Sequence, residues 1–185
     1  MVGPSAPWII VPNSMMNGMD SFPLMAVPFF VLAGDLMNRG GITVRLVNFA
    51  NLLVGGIRGG LAQANVMASM LFAGITGSAL ADTAAIGRIM IPAMEREGYD
   101  RAYAAAVTAS SSIIGPIIPL SITMVLFGVT AGVSIGGLFL AGVVPGVLIG
   151  FGLMAMAYVM ARRRNYPVRK VPVTREFAWR TTRDA

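Results

Sequence analysis

The stretch "SMLFAGITGSALADTAAIGRIMIPAM" (69–94) decides the fold. Both ends are as apolar as a membrane helix, yet the middle carries Thr76, Gly77, Ser78 and Asp82. As a single rod, the apolar block that contains it (66–96) would run about 46 Å at 1.5 Å per residue. That overshoots a hydrocarbon core of about 30 Å and leaves hydroxyls and a carboxylate near mid-depth. An ionised group there is expensive and faces a cavity or a partner. A hairpin of two half-helices resolves the conflict: "VMASMLFAGI" descends, "TGSAL" turns and "ADTAAIGRIMIPAM" returns. Arms of roughly 15–20 Å would carry the tip about halfway across the bilayer. Backbone exposed at that depth is tolerated only against protein or water. Gly74 and Gly77 permit the tight turn, and the alanines around it let backbones approach closely.

The composition supports a bilayer setting. Of 185 residues, 56% are hydrophobic and 12% charged, with a mean hydropathy of +0.73. Soluble domains carry about 25% charged residues. Cysteine and histidine are both absent. Disulfides, thiolate metal sites and Ser-His-Asp or Cys-His catalysis are therefore excluded. No P-loop is present, so ATP does not drive this chain directly. The net charge of +6 is local: the segment from Arg162 onward holds eight basic and two acidic residues, and the rest is balanced. A hydrophobic span runs directly into that cluster, which suits a cytoplasmic flank under the positive-inside rule better than a nucleic-acid arm.

Outward from the hairpin, the chain divides into further blocks. Residues 1–20 lack a basic n-region and read as a truncated lead-in to something already in progress. Residues 21–38 are just long enough for a transmembrane helix, with Pro28 expected to kink it. Residues 40–65 interleave Val44, Val47, Leu52 and Ile57 with Arg45, Asn48, Asn51 and Arg58, the pattern of an amphipathic helix broken by glycines and lying along the interface, with an ordinary amphipathic surface helix as the alternative. Residues 99–131 are a discontinuous transmembrane helix: "SSSIIGPIIPLS" (110–121) places two prolines three residues apart, which should unwind it and free carbonyls between halves at 101–113 and 120–131. Residues 134–161 form a transmembrane helix with Pro145 inside, and 162–185 a basic cytoplasmic tail.

A hairpin tip and a broken helix are thus adjacent in sequence, both rich in hydroxyls and unpaired carbonyls. Transporter sites near the membrane midplane are built from such interruptions. A small hard cation such as Na⁺ wants oxygen ligands, and helix ends complement charge. Candidate donors are the tip backbone, Thr76, Ser78, Ser110, Ser111, Ser112 and Thr123. Two roles are open to Asp82: it supplies charge to an ion, or it caps the second half-helix. Packing between membrane helices uses the same small and hydroxylated residues, and any single serine serves that purpose more often than ligation.

Four motifs, "SFPLMAVPFFVLAGDLMNRGG", "FAGITGSALADTAAIGRIMIPAM", "GYDRAYAAAVTASSSIIGPIIPLSI" and "SIGGLFLAGVVPG", resemble in order the large membrane subunit (DctM-like) of the tripartite ATP-independent periplasmic (TRAP) transporters. The likeness covers roughly residues 17 to 165 and corresponds to the N-terminal repeat only. It implies an all-α integral membrane fold, one half of an inverted-repeat, elevator-type transporter. It further implies a multi-pass protein of the bacterial inner membrane that imports organic acids, such as C4-dicarboxylates or sialic acid, with Na⁺ as coupling ion and no other cofactor. The implied partners are a small TRAP membrane subunit, a periplasmic substrate-binding protein and membrane lipid. Carried over residue by residue, the motif from Gly74 to Asp82 (Gly74, Thr76, Gly77, Ser78, Asp82) and the stretch Ser110, Ser111, Ser112, Gly115, Pro116, Ser121, with Thr123, would line the Na⁺ and substrate sites. The family often has Ser at position 76 and usually a second proline at 120, where this chain has Thr76 and Leu120. The second repeat has no counterpart here, so the resemblance implies a fragment or split gene product. Two other readings stay open on the residues alone: a structural membrane subunit that moves no solute, and a related hairpin-containing dicarboxylate carrier.

Overall fold

The structure, a computed structural model, describes residues 6–19 and 22–166. They form eight helices: α1 (Ala6–Met19), α2 (Phe22–Arg39), α3 (Ile42–Val54), α4 (Gly60–Thr76), α5 (Ala79–Arg96), α6 (Arg101–Ser112), α7 (Ile122–Ala131) and α8 (Ile135–Arg163). No strand occurs among the described residues. Most of the basic tail, 167–185, lies outside them.

Local chemistry sets the boundaries. Four helices begin at a Ser or Asp whose side chain accepts a backbone N–H of the first turn. Ser78 does so for α5, Asp100 for α6, Ser121 for α7 and Ser134 for α8. Helix α4 ends at Gly77, whose left-handed φ of 58° lets its N–H close on the Ala73 carbonyl at 3.0 Å. The helices α2 and α8 continue through Pro28 and Pro145. At the start, α1 occupies most of the segment expected to be a lead-in, and it runs through Pro12.

The polypeptide reverses at the two residues Gly77 and Ser78. Asn65, near the start of α4, reaches Met94, near the end of α5, with Nδ2 3.9 Å from the sulfur. The pair is therefore an antiparallel helical hairpin, and one unbroken rod over 66–96 is ruled out. Its arms are longer than the sequence predicts. Helix α4 starts at Gly60, six residues before Val66, just after the left-handed Gly59, where a Cβ would sit 2.5 Å from that of Ala161 in α8. With 17 and 18 residues, the arms run about 25 and 27 Å.

Helix α4 is the centre of the molecule. It packs against α3, α5, α6 and α8 and is buried on nearly every face, as expected of a core helix apolar all round. The core gathers Ala50 from α3, Phe72 from α4, Ile86 and Met90 from α5 and Ala104 from α6. Where α8 crosses, its glycine face (Gly142, Gly146 and Gly150) receives Ile117, Ile118 and Met70 with no room for a side chain. At the far end Tyr166 stacks on Tyr99, 4.3 Å between ring centroids, and Arg164 lies over the Tyr103 ring. This aromatic clasp ties the α5–α6 loop to the end of α8. Burial pushes the Tyr99 hydroxyl up to about 12, with the neighbouring Glu97 charge adding to the shift.

The opposite face of α8 is apolar and exposed at Leu140, Val144, Leu148 and Phe151. Among the described residues, α8 is the one helix long and apolar enough to cross a bilayer. An exposed apolar surface of that length is what lipid covers.

Candidate functional site

The break between α6 and α7 spans 113–121 and holds Pro116 and Pro119. Within it Leu120 adopts a left-handed φ of 74°, uncommon for a residue with a side chain. A proline cannot take that angle, so the bend here is built differently from one with proline at 120. The apex of the hairpin lies directly against this break. A Cβ on Gly77 would overlap the Leu120 carbonyl oxygen and stand 2.8 Å from the Ser121 Cα. One on Gly115 would lie 3.3 Å from the Ala79 nitrogen. Glycines at 77 and 115 thus let two irregular backbone segments touch.

The predicted residues separate into groups around this contact. Thr76 and Ser78 border an open cavity of about 790 Å³, which Val31 and Asp35 of α2 and Ala84 and Arg88 of α5 also line. The Thr76 hydroxyl leans on its own helix, 3.4 Å from the Phe72 carbonyl. Ser121 is fully buried and caps α7. Ser78, not Asp82, caps α5, so Asp82 sits in the first helical turn with its side chain fully buried. Ser111 and Ser112 are buried on the α6 face turned to the hairpin. Gly74 is half-buried within α4 with open space where a Cβ would go, and Pro116 is half-buried. Ser110 and Thr123 are exposed and stand apart from this group. Ser110 instead edges a small cavity of about 160 Å³ with Val66, Leu153 and Met156.

The structure adds residues that the sequence reading passed over. Asn65 donates from Nδ2 to the Thr108 hydroxyl at 2.7 Å, and Thr108 donates to the Ala104 carbonyl at 2.9 Å. Ser69 pairs with Ser111 at 2.9 Å. Ser111 and Ser112 both donate to the Thr108 carbonyl, at 3.0 and 2.9 Å. All five are buried, as is Gln63, which donates to the Met154 carbonyl of α8 at 2.7 Å. A signal was present in the sequence: Asn65 and Ser69, like Thr108 and Ser112, are spaced by four on otherwise apolar helices and so share a face. No group of three or more His, Cys, Asp or Glu side chains gathers among the described residues, so no acidic cage of the divalent-metal kind is formed there.

A family model described as "Tripartite ATP-independent periplasmic transporter, DctM component" matches residues 1–185. The chain belongs to the TRAP transporter DctM family. It is 51% identical over 164 residues to the sialic acid TRAP transporter permease protein SiaT of Haemophilus influenzae, covering 89% of this chain and 26% of that protein. It is 50% identical over 154 residues to the sialic acid large permease SiaM of Vibrio cholerae, covering 83% and 36%. With the C4-dicarboxylate large permease DctM of Pseudomonas aeruginosa the identity is 47% over 148 residues, covering 80% and 35%. The chain thus spans about a quarter to a third of the length of these relatives. It is a helical membrane protein of a transporter family, and it corresponds to only part of a TRAP large permease.

Proposed function

We propose that this chain supplies the N-terminal half of the transport site in a Na⁺-coupled TRAP large permease. That permease imports organic acids, in the class of C4-dicarboxylates or sialic acid, across the bacterial inner membrane. It works with a small membrane subunit and a periplasmic binding protein that hands over the substrate. In this reading the α4–α5 hairpin is re-entrant, entering and leaving by the cytoplasmic face, and the chain is one of two inverted repeats. The observation that supports it is the contact of Gly77 with Leu120 and Ser121. Two helix interruptions meet there, beside a cavity bordered by Thr76 and Ser78. Interrupted backbone buried against protein is how membrane carriers assemble ion and substrate sites.

The experiment is uptake of labelled organic acid into vesicles holding the complete permease, its small subunit and the binding protein, with and without a Na⁺ gradient. Na⁺-dependent uptake that falls at least about tenfold in Ser78→Ala, the loss of roughly 1.4 kcal/mol of binding, supports the reading. Uptake unchanged by replacing Na⁺ with K⁺ overturns the coupling. Uptake unchanged by Ser78→Ala and Ser121→Ala removes the hairpin–break contact from the site.

A further inference from the structure

A groove of about 160 Å³ runs between α6 and α8, with α4 behind it. Its floor is Val66, Tyr103 and Ala157, all buried, and the Tyr103 hydroxyl donates to the Ala157 carbonyl at 3.4 Å. Half-buried Val107, Leu153 and Met160 make the walls, and Met156, 63% exposed, stands at the open rim. From Tyr103 to Ser110 the groove follows α6 for about 10 Å at 1.5 Å per residue. An α-helix is about 10 Å across with its side chains, so even that length of helix needs several times this volume. A single hydrocarbon chain fits where a helix does not.

One end of this groove is strongly basic. Arg162, Arg163 and Arg164 follow directly on Met160 and Ala161. All three are exposed, and none comes within ion-pair distance of a carboxylate among the described residues. Arg163 and Arg164 lie three and four residues beyond Met160, so they extend the groove-facing stripe of α8. The Arg164 guanidinium stands over the Tyr103 ring, 5.6 Å from its centroid, with one nitrogen 3.5 Å from the Tyr166 hydroxyl. Tyr103 therefore borders the apolar groove and the cationic end at once. Asp100 is nearby, but its carboxylate accepts the Tyr103 N–H at 3.0 Å as the cap of α6. The other N–H groups of Arg164 remain for an anion, and a phosphate suits their forked geometry.

We propose that the groove between α6 and α8 is a binding site for one anionic phospholipid, with an acyl chain along Val107, Leu153 and Met156 and the phosphodiester at Arg163 and Arg164. An apolar slot that ends in unpaired arginines has the same division as the lipid itself, and basic pockets between membrane helices hold anionic headgroups. The lipid touches α4, α6 and α8 together, so it splices the first arm of the hairpin to the end of α8. The site is independent of which solute or ion the permease carries.

The test is thermal unfolding of the full 185-residue chain in neutral detergent, titrated with dioleoyl phosphatidylglycerol against dioleoyl phosphatidylcholine. The anionic lipid is expected to raise the midpoint saturably, at a lower half-effect concentration than the zwitterionic one. Arg164→Gln should raise that concentration about fivefold, the share of one basic residue at an anionic surface, and Arg164→Lys should stay within about twofold of the parent. Ala106→Trp fills the groove from its exposed rim and should raise it about tenfold. Ala155→Trp, on the opposite face of α8, should respond as the parent does. Equal half-effect concentrations for the two lipids, or an unchanged response in Ala106→Trp, overturns the site. So does an equal shift from glycerophosphoglycerol, the headgroup without chains, because a free phosphate would then suffice. Ala106→Trp decides the matter if loss of Arg164 unfolds the chain. The same preference should appear in the complete permease, and its absence there would mean that another part of the permease covers the groove, which overturns the proposal.

Discussion

Gly77, at the apex of the hairpin, abuts the carbonyl of Leu120, the residue where the neighbouring helix is most sharply broken. Both are left-handed, at φ 58° and 74°. Gly77→Ala would force a Cβ into that carbonyl and impose a left-handed alanine, costing about 1–2 kcal/mol for the conformation alone and more for the overlap. Gly74, three residues earlier, is the internal control. It is helical with nothing near its missing Cβ, so Gly74→Ala should be neutral or stabilise by up to about 1 kcal/mol. Thermal unfolding of the two variants in detergent should separate them in opposite directions.

Leu120 is held in a conformation that glycine adopts freely. Relief of a left-handed strain of about 1–2 kcal/mol, less the backbone entropy of glycine at about 0.5–1, predicts that Leu120→Gly is unchanged or gains up to about 1.5 kcal/mol. The same unfolding measurement checks it. A large loss would mean that the Leu120 side chain, 40% exposed, packs more than its surroundings indicate.

Much of this arrangement was legible in the residues. The conflict between apolar flanks and a polar centre in 69–94 pointed to the reversal, and the structure puts it at Gly77 and Ser78. Two prolines three apart marked the break, observed at 113–121. The length of α4 was not legible, because its start depends on a glycine packing against Ala161, about a hundred residues away. Nor was the division of the three serines. Ser110, Ser111 and Ser112 are equal in the sequence, but successive helical positions turn by about 100°, and only the latter two face the hairpin. Ser69 was overlooked because a lone serine in an apolar run looks like packing. Its partner Ser111 is 42 residues distant.

Thr108 links two helices through one hydroxyl, accepting from Asn65 and donating within its own helix. Thr108→Val keeps the shape and leaves the buried Asn65 amide without that acceptor. The expected cost is about 1–3 kcal/mol, the penalty of an unsatisfied buried donor. Pairing the change with Asn65→Leu should recover part of the loss, and a double-mutant cycle on unfolding free energies measures the coupling.

The aromatic clasp should open in alkali. The folded value of Tyr99, about 12, lies above the ordinary tyrosine value of 10. Folding therefore favours the neutral phenol. Its stabilising contribution is fully present below pH 10 and is lost as pH rises through the folded value, on the order of 2–3 kcal/mol in all. Tyr99→Phe should flatten this decline. Unfolding midpoints across the alkaline range, read beside tyrosinate absorbance, test the assignment.

The glycine face of α8 couples parts that the chain order keeps separate. Gly146 admits Ile118 from the break and Gly150 admits Met70 from the hairpin. A displacement of the hairpin that preserves these seats carries the 29-residue α8 along as cargo. The lipid shell around a whole membrane-length rod must then rearrange with it. The moving mass, and the drag on it, would be set by three absent side chains rather than by the site itself.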